Sequence, residues 1–500
     1  MDFLDPKKQR AHTVRIMVGY VLIAIALILT TTILIYQAYG FGVDRNGKVI
    51  QNGLVFVSST PNPATIYVNG KKNDNQTNAR LLLSSGQYTF SLQRDGYREW
   101  KRAVSVEGSS VERFDYPFLF PKTLQTSTVK SYDKTVQLAT ESPDRHWMLT
   151  QNTGMTENKF EVYDLSKPKE LTKNIEEITL PDSAYTPTQA GAAFDWKLVQ
   201  WSTDNRHVVL KHTFQKDGQQ ASEYVLLDRA DTSKSLNLTA TWGVNPTSIE
   251  LRNQDYDHYY LYDEAAGTLM TSDLKTPAPK AYLTDVKAFK SYGDDIMLYA
   301  TSTGVADGKI AIKWREGDNN YTIRTLTAGS HYVVNLTKYE GDWYAAAGSA
   351  ADGKVYVYKN PVDMVKNQQV SVPVRILKVP NVNYVSFSAN TRFIMAENGS
   401  QFSVYDAEND KGYAYTVPAT LDAPQVNATW MDGNRIMYVS GGKIVVFDFD
   451  GANRQTLNAQ NANFLPLFDR DYKYLYTVAP VNDAGSTAIQ KTPLRTADDL

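Results

Sequence analysis

WMDGNRIMYVS at residues 430–440, followed by KIVVFDFDG at residues 443–451, decides the fold of this chain. Two short apolar runs, Ile436 to Val439 and Ile444 to Phe447, are rich in β-branched and aromatic residues and are too short for helices. Asp432-Gly433-Asn434 supplies turn residues before the first run, and Asp448-Phe449-Asp450-Gly451 closes the second. The unit reads as two strands of one sheet.

The same pattern recurs along the last three-quarters of the chain. Equivalent points fall at Trp147, Val208, Tyr259, Met297, Tyr344, Phe393, Ile436 and Tyr474, with gaps of about 38 to 61 residues, the period of propeller blades. One four-stranded sheet cannot bury both its faces. Sheets stacked around an axis can, and a closed ring leaves only short exposed edges. The expectation is an all-β chain with a β-propeller over residues 122–500, of eight blades or alternatively seven with one irregular unit. Residues 123–137 are expected to supply an outer strand to the last blade and so join the ends of the ring. Ser142-Pro143-Asp144-Arg145 before a strand, and Val446, Asp448, Asp450, Gly451 and Asn453 after one, resemble the repeats of Tol-type propellers.

The other end of the chain is different in kind. Ile16 to Tyr36 runs for 21 residues without a charge. At about 1.5 Å per residue a helix of that length covers about 30 Å, the hydrocarbon thickness of a bilayer. Lys7, Lys8, Arg10 and Arg15 precede it, whereas only Arg45 and Lys48 follow closely. Basic flanks stay in the cytoplasm. The expected topology is a cytoplasmic tail (1–15), a transmembrane helix (16–36), and everything else on the extracytoplasmic side. The competing reading is a cleaved signal ending at Ala38-Tyr39-Gly40, but the apolar run exceeds the roughly 7–15 residues of a signal core. With no cysteine, a lipoprotein anchor is excluded, as are disulfides and thiolate chemistry.

Residues 37–53, with Gly40, Gly42, Gly47 and Gly53, read as a spacer. From Leu54 onward the chain alternates strands and turns, including Asn69-Gly70, whose residues suit the positive φ angles of a type I′ hairpin turn. Pro61 to Ala64, Tyr67-Val68-Asn69-Gly70, Gly86-Gln87-Tyr88 and Gly96-Tyr97-Arg98-Glu99-Trp100 resemble the PEGA domain over residues 54–121. That resemblance implies a small β-sandwich of the kind found in bacterial and archaeal envelope proteins, and it implies no catalysis. Tyr97 and Trp100 read as core packing, with carbohydrate stacking as the sharper alternative.

The 500 residues carry a net charge of −2, which does not suit a nucleic-acid binder with a concentrated basic face. None of the six histidines forms a His-Glu-x-x-His pair, and no Gly-x-Ser-x-Gly elbow or phosphate-binding loop occurs. His207 and His212, five apart, would face opposite sides of a strand and read as surface or edge residues. Asp255 with Asp257, and Asp448 with Asp450, read as turn formers rather than calcium ligands, because the EF-hand spacing is missing. No catalytic residue, metal ligand or cofactor is expected. The candidate ligand-binding residues are Trp196, Trp201 and Trp242, tryptophans that would suit sugars or peptides if they lay in a propeller mouth.

These readings converge on a non-catalytic, membrane-anchored envelope protein whose propeller binds a protein or polysaccharide. The alternative is a propeller hydrolase or lyase acting on surface glycans, favoured by a pocketed mouth with two acidic groups about 5–10 Å apart. A third role, scaffolding a surface assembly, would be marked by a contiguous apolar patch on one blade edge.

Overall fold

The computed structural model describes residues 6–38, 41–43, 49–418, 420–425, 427–481 and 485–499. They fall into two compact units, Met1–Thr123 and Leu124–Asp498.

The first unit opens with a helix, Pro6–Ala38, longer at both ends than the apolar run. Within it Arg10–Tyr36 is long and apolar enough for a membrane span or a signal sequence, and none of it is buried in protein. Arg45 and Lys48, which enter the charge comparison, and Tyr39 and Gly40 of the cleavage alternative lie outside the described residues. Residues 37–53 are not the plain spacer expected. They hold the strand Phe41–Val43 and the first half of Val49–Val57, paired antiparallel with Phe41 opposite Gln51. Gly53 looked like spacer composition but is needed for close approach, since a Cβ there would sit 2.5 Å from the Glu107 carbonyl oxygen.

Two four-stranded sheets make up the rest. One orders Phe41–Val43, Val49–Val57 and Ala79–Ser84, with Val111–Phe114 parallel to Val49–Val57. The other orders Lys71–Gln76, Thr65–Val68, Gly86–Gln93 and Trp100–Val106. Val55 and Val57 of the first sheet and Ile66, Phe90 and Leu92 of the second are fully buried. Asn69 and Gly70 have φ of 51° and 76°, as the hairpin requires. Tyr97 and Trp100 are buried, and Trp100 meets Tyr116 edge to face at 5.9 Å, so both are core.

The second unit is a β-propeller of eight four-stranded sheets. Seven follow chain order, over 136–179, 195–237, 248–283, 286–327, 332–378, 384–416 and 429–459. The eighth joins Leu467–Phe468, Tyr474–Pro480 and Thr487–Pro493 to Ser127–Tyr132 on the outer edge, closing the ring with the chain's own earlier segment. All eight equivalent points from the sequence lie on second strands. Ile436–Val439 and Ile444–Phe447 are buried without a break, because each sheet is covered on both faces by its neighbours. The closing strand is also tied sideways into blade 1. The Tyr132 hydroxyl reaches the Glu161 carboxylate at 2.5 Å, Tyr163 donates to the same carboxylate at 2.8 Å, and Lys130 pairs with it.

Candidate functional site: the propeller channel

First strands line the axis of a propeller, and here they alternate. In Val136–Glu141 the odd side chains Gln137, Ala139 and Glu141 are half-exposed, while Val136, Leu138 and Thr140 are buried. Together with first-strand residues of blades 2, 7 and 8, they wall a cavity of about 770 Å³. Its apolar surface comes from residues such as Ala139, Leu198 and Leu465, and its charged groups are Glu141, Arg145, Asp195 and Lys197. Leu198 and Leu465, two of the lining residues, are 41% and 50% exposed. The mouth is pocketed, not flat.

Glu141 is the chemically distinctive group. Burial pushes its carboxyl up to about 7, the Asp469 charge adds to the rise, and Arg145 and the Phe468 amide oppose it. The Phe468 N–H donates to it at 2.7 Å and the Arg145 guanidinium lies 3.5 Å away. Arg145 is held in turn over the Tyr472 ring at 4.3 Å and donates to the Met431 carbonyl at 3.3 Å. The pair offers one fixed cation and one carboxyl that changes charge near neutrality, set in a partly apolar cleft.

The tryptophans expected at the mouth are elsewhere. Trp196, Trp201 and Trp242 are 0%, 6% and 5% exposed, so none presents a stacking surface. Spaced five apart, Trp196 and Trp201 should face opposite sides of a regular strand. A bulge between Leu198 and Gln200 turns both toward blade 1. There Trp196 donates to the Glu157 carbonyl at 2.9 Å and Trp201 to the Thr140 hydroxyl at 3.0 Å. Trp242 ends the short helix Leu238–Trp242 and meets Tyr259 edge to face at 4.9 Å, in the core between blades 2 and 3.

His207 and His212 also depart from the surface reading, since both are buried. His212 lies between the rings of Trp196 and Phe214, at 4.1 and 5.0 Å, with its two nitrogens 3.0 Å from Glu223 and 2.9 Å from Glu157. Burial lowers its pKa, but the two carboxylates outweigh burial and hold it above the usual histidine value. Glu223 lies directly opposite His212 on the next strand of the same blade, whereas Glu157 comes from another blade and was not legible in sequence as a neighbour. Asp255, Asp257 and His258 place potential ligand atoms within 4.8 Å of one another, with His258 Nδ1 held by Asp257 at 2.6 Å. Asp448 and Asp450 are turn acceptors: Asn453 donates to Asp448 at 2.8 Å and the Ala452 amide to Asp450 at 3.1 Å.

Residues 52–118 match the PEGA domain family. No curated protein matches the chain in sequence. Similar solved structures include Hsv2 of Kluyveromyces lactis, 9% identical, covering 66% of this chain and 99% of that one at a TM-score of 0.37. A eukaryotic initiation factor is 11% identical over 75% of this chain and 97% of its own, at 0.36. A functionally unknown protein of Desulfotomaculum acetoxidans is 9% identical over 60% and 92%, at 0.34.

Proposed function

We propose that this chain is a membrane-anchored, non-enzymatic binding protein of the cell envelope, with a short cytoplasmic tail, the PEGA unit and propeller outside, and a partner segment, peptide or glycan, seated in the propeller channel. The observation that carries the reading is the cavity of about 770 Å³ with apolar walls and the Glu141–Arg145 pair on its side. Sites that combine apolar surface with a few placed polar groups fix both affinity and orientation. The excess of basic residues before the apolar helix supports the topology. The Tol-type reading of the repeats rests on the turn motifs around Ser142 and Asp448.

One observation favours the hydrolase alternative. A carboxyl titrating near 7 in a cleft is what a general acid needs. Peptide and glycan arrays probed with the detergent-solubilised full chain separate the two. Ala139→Trp, which narrows the channel, and Arg145→Ala should each weaken array binding at least tenfold with the unfolding curve preserved. Equal binding by the variants, or release of cleaved glycan by the wild type, contradicts the binding reading.

A further inference from the structure

The connection from blade 1 to blade 2, residues 180–194, is a strap tied down at two carboxylates. Thr186 donates its amide and its hydroxyl to Glu223 at 2.6 and 2.7 Å. Thr188 donates its amide to Glu157 at 3.0 Å. Glu157 belongs to the loop between the second and third strands of blade 1, and Glu223 to the third strand of blade 2. These are the two carboxylates that flank His212, so one buried imidazole stands between both tethers. Beyond Phe194 the strap runs into Asp195 and Lys197 of the channel wall.

The proton count of the ring decides whether both tethers are satisfied. Nδ1 lies 3.0 Å from Glu223 and Nε2 2.9 Å from Glu157. An imidazolium has two N–H groups and serves both carboxylates. A neutral ring has one, and turns a lone pair on the other carboxylate. The two tethers are unequal. Glu223 keeps three more hydrogen bonds, two from Thr186 and one from Asn237. Among the described residues Glu157 keeps only the Thr188 amide, and it stands in a loop whose Thr153, Gly154 and Thr156 are exposed. The Nε2 proton is therefore the one to leave, and Glu157 the carboxylate to turn away. Its backbone stays in place, because the Trp196 indole donates to its carbonyl. The titratable groups facing the ring are Glu157, Glu223 and Tyr185, with Asp182 beyond Tyr185. Its two faces are covered by the uncharged rings of Trp196 and Phe214. Tyr185 is pushed up to about 12, chiefly by burial, and keeps its proton at neutral and mildly alkaline pH.

We propose that His212 is a proton-operated latch on this strap. Doubly protonated, it holds Glu157 and, through Glu157, Thr188. When the Nε2 proton leaves, Glu157 swings to solvent and residues 188–193 loosen, resting on the Gln215 backbone alone, while Thr186 stays on Glu223. Because the two carboxylates hold the histidine above its usual value, release falls on the alkaline side of that value. The latch does not depend on what the channel binds.

Amide hydrogen exchange of the full chain in detergent, corrected at each pH for the intrinsic exchange rate, tests this between about pH 6 and about pH 9.5. Protection of the Thr188 amide should fall at least tenfold across that range, while Thr186 stays within about twofold. Glu157→Gln keeps an acceptor for Thr188 and adds an N–H for a bare Nε2, so its Thr188 protection should stay high at every pH. Glu157→Ala should leave Thr188 poorly protected at every pH. The latch is overturned if wild-type Thr188 protection does not fall, or if it falls equally at Thr186 and across the propeller. It is also overturned if Glu157→Gln retains the fall.

Discussion

His212 concentrates opposing electrostatic demands on one side chain. Taking an imidazolium out of water is costly, and two carboxylates at 2.9 and 3.0 Å offset the cost. Those carboxylates are anchored in turn: Glu223 accepts from the Thr186 amide and hydroxyl and from Asn237, and Glu157 from the Thr188 amide. His212→Ala leaves two buried anions facing an empty space and should cost ~3–5 kcal/mol in denaturant unfolding. The sign of its pH dependence follows from the direction of the shift. A histidine whose folded pKa is raised above 6.5 contributes fully below that value and loses the contribution as pH rises through the folded pKa. The gap between wild type and His212→Ala should therefore be widest near pH 6 and shrink toward alkaline pH. A gap that widens above pH 7 would mean the ring is neutral in the fold. Sequence could not reveal this residue's setting, because hydropathy places histidine at the surface and the neutralising Glu157 comes from a different blade.

Strands and turns were far more legible than sites. The eight apolar runs that repeat in sequence lie on the eight second strands, which are buried on both faces and so are largely apolar, with buried polar exceptions such as Gln151 and His212. First strands face the channel on one side, so they alternate and look like ordinary surface strands. The channel and its Glu141 therefore carried no signal. The blade 2 bulge inverted the expected facing of Trp201, and no residue type announces a bulge of that kind. Two glycines show different local demands. Gly70 has open space around its Cβ direction and only a φ of 76° to satisfy, so Gly70→Ala should cost about 1 kcal/mol in the unfolding of the first unit. At Gly348, within Asp342–Ser349, a Cβ would sit 2.1 Å from the Lys354 carbonyl oxygen on the paired strand. Gly348→Ala must push that hairpin apart and should cost the propeller about 3 kcal/mol or more, read as a drop in the second unit's melting temperature. Equal effects of the two substitutions would contradict the assignment of Gly348 to a close cross-strand approach.

At the scale of the molecule, ring closure rests on a strand borrowed from far earlier in the chain. Sequence placed that strand correctly, since residues 123–137 had no blade of their own to join. It did not show the polar latch on Glu161. Glu161→Ala takes the acceptor from Lys130 and from two buried phenols, which keep only their bond to each other, and should destabilise the propeller by about 2–3 kcal/mol. Glu177→Ala, which breaks an exposed pair with Lys159, should change it by less than about 1 kcal/mol. Denaturant titration of both variants checks the contrast. The proposed role adds a membrane: the N-terminal helix spans it, and the propeller lies on the partner side. The chain's lack of cysteine makes that arrangement directly measurable, because single introduced thiols report without background. Cysteines at His12, in the basic stretch before the apolar run, and at Asp318, on a fully exposed propeller loop, can be labelled in intact cells with a membrane-impermeant maleimide. The account predicts that Asp318→Cys is labelled at once and His12→Cys only after the membrane is permeabilised; labelling of His12→Cys in intact cells with Asp318→Cys protected would contradict it.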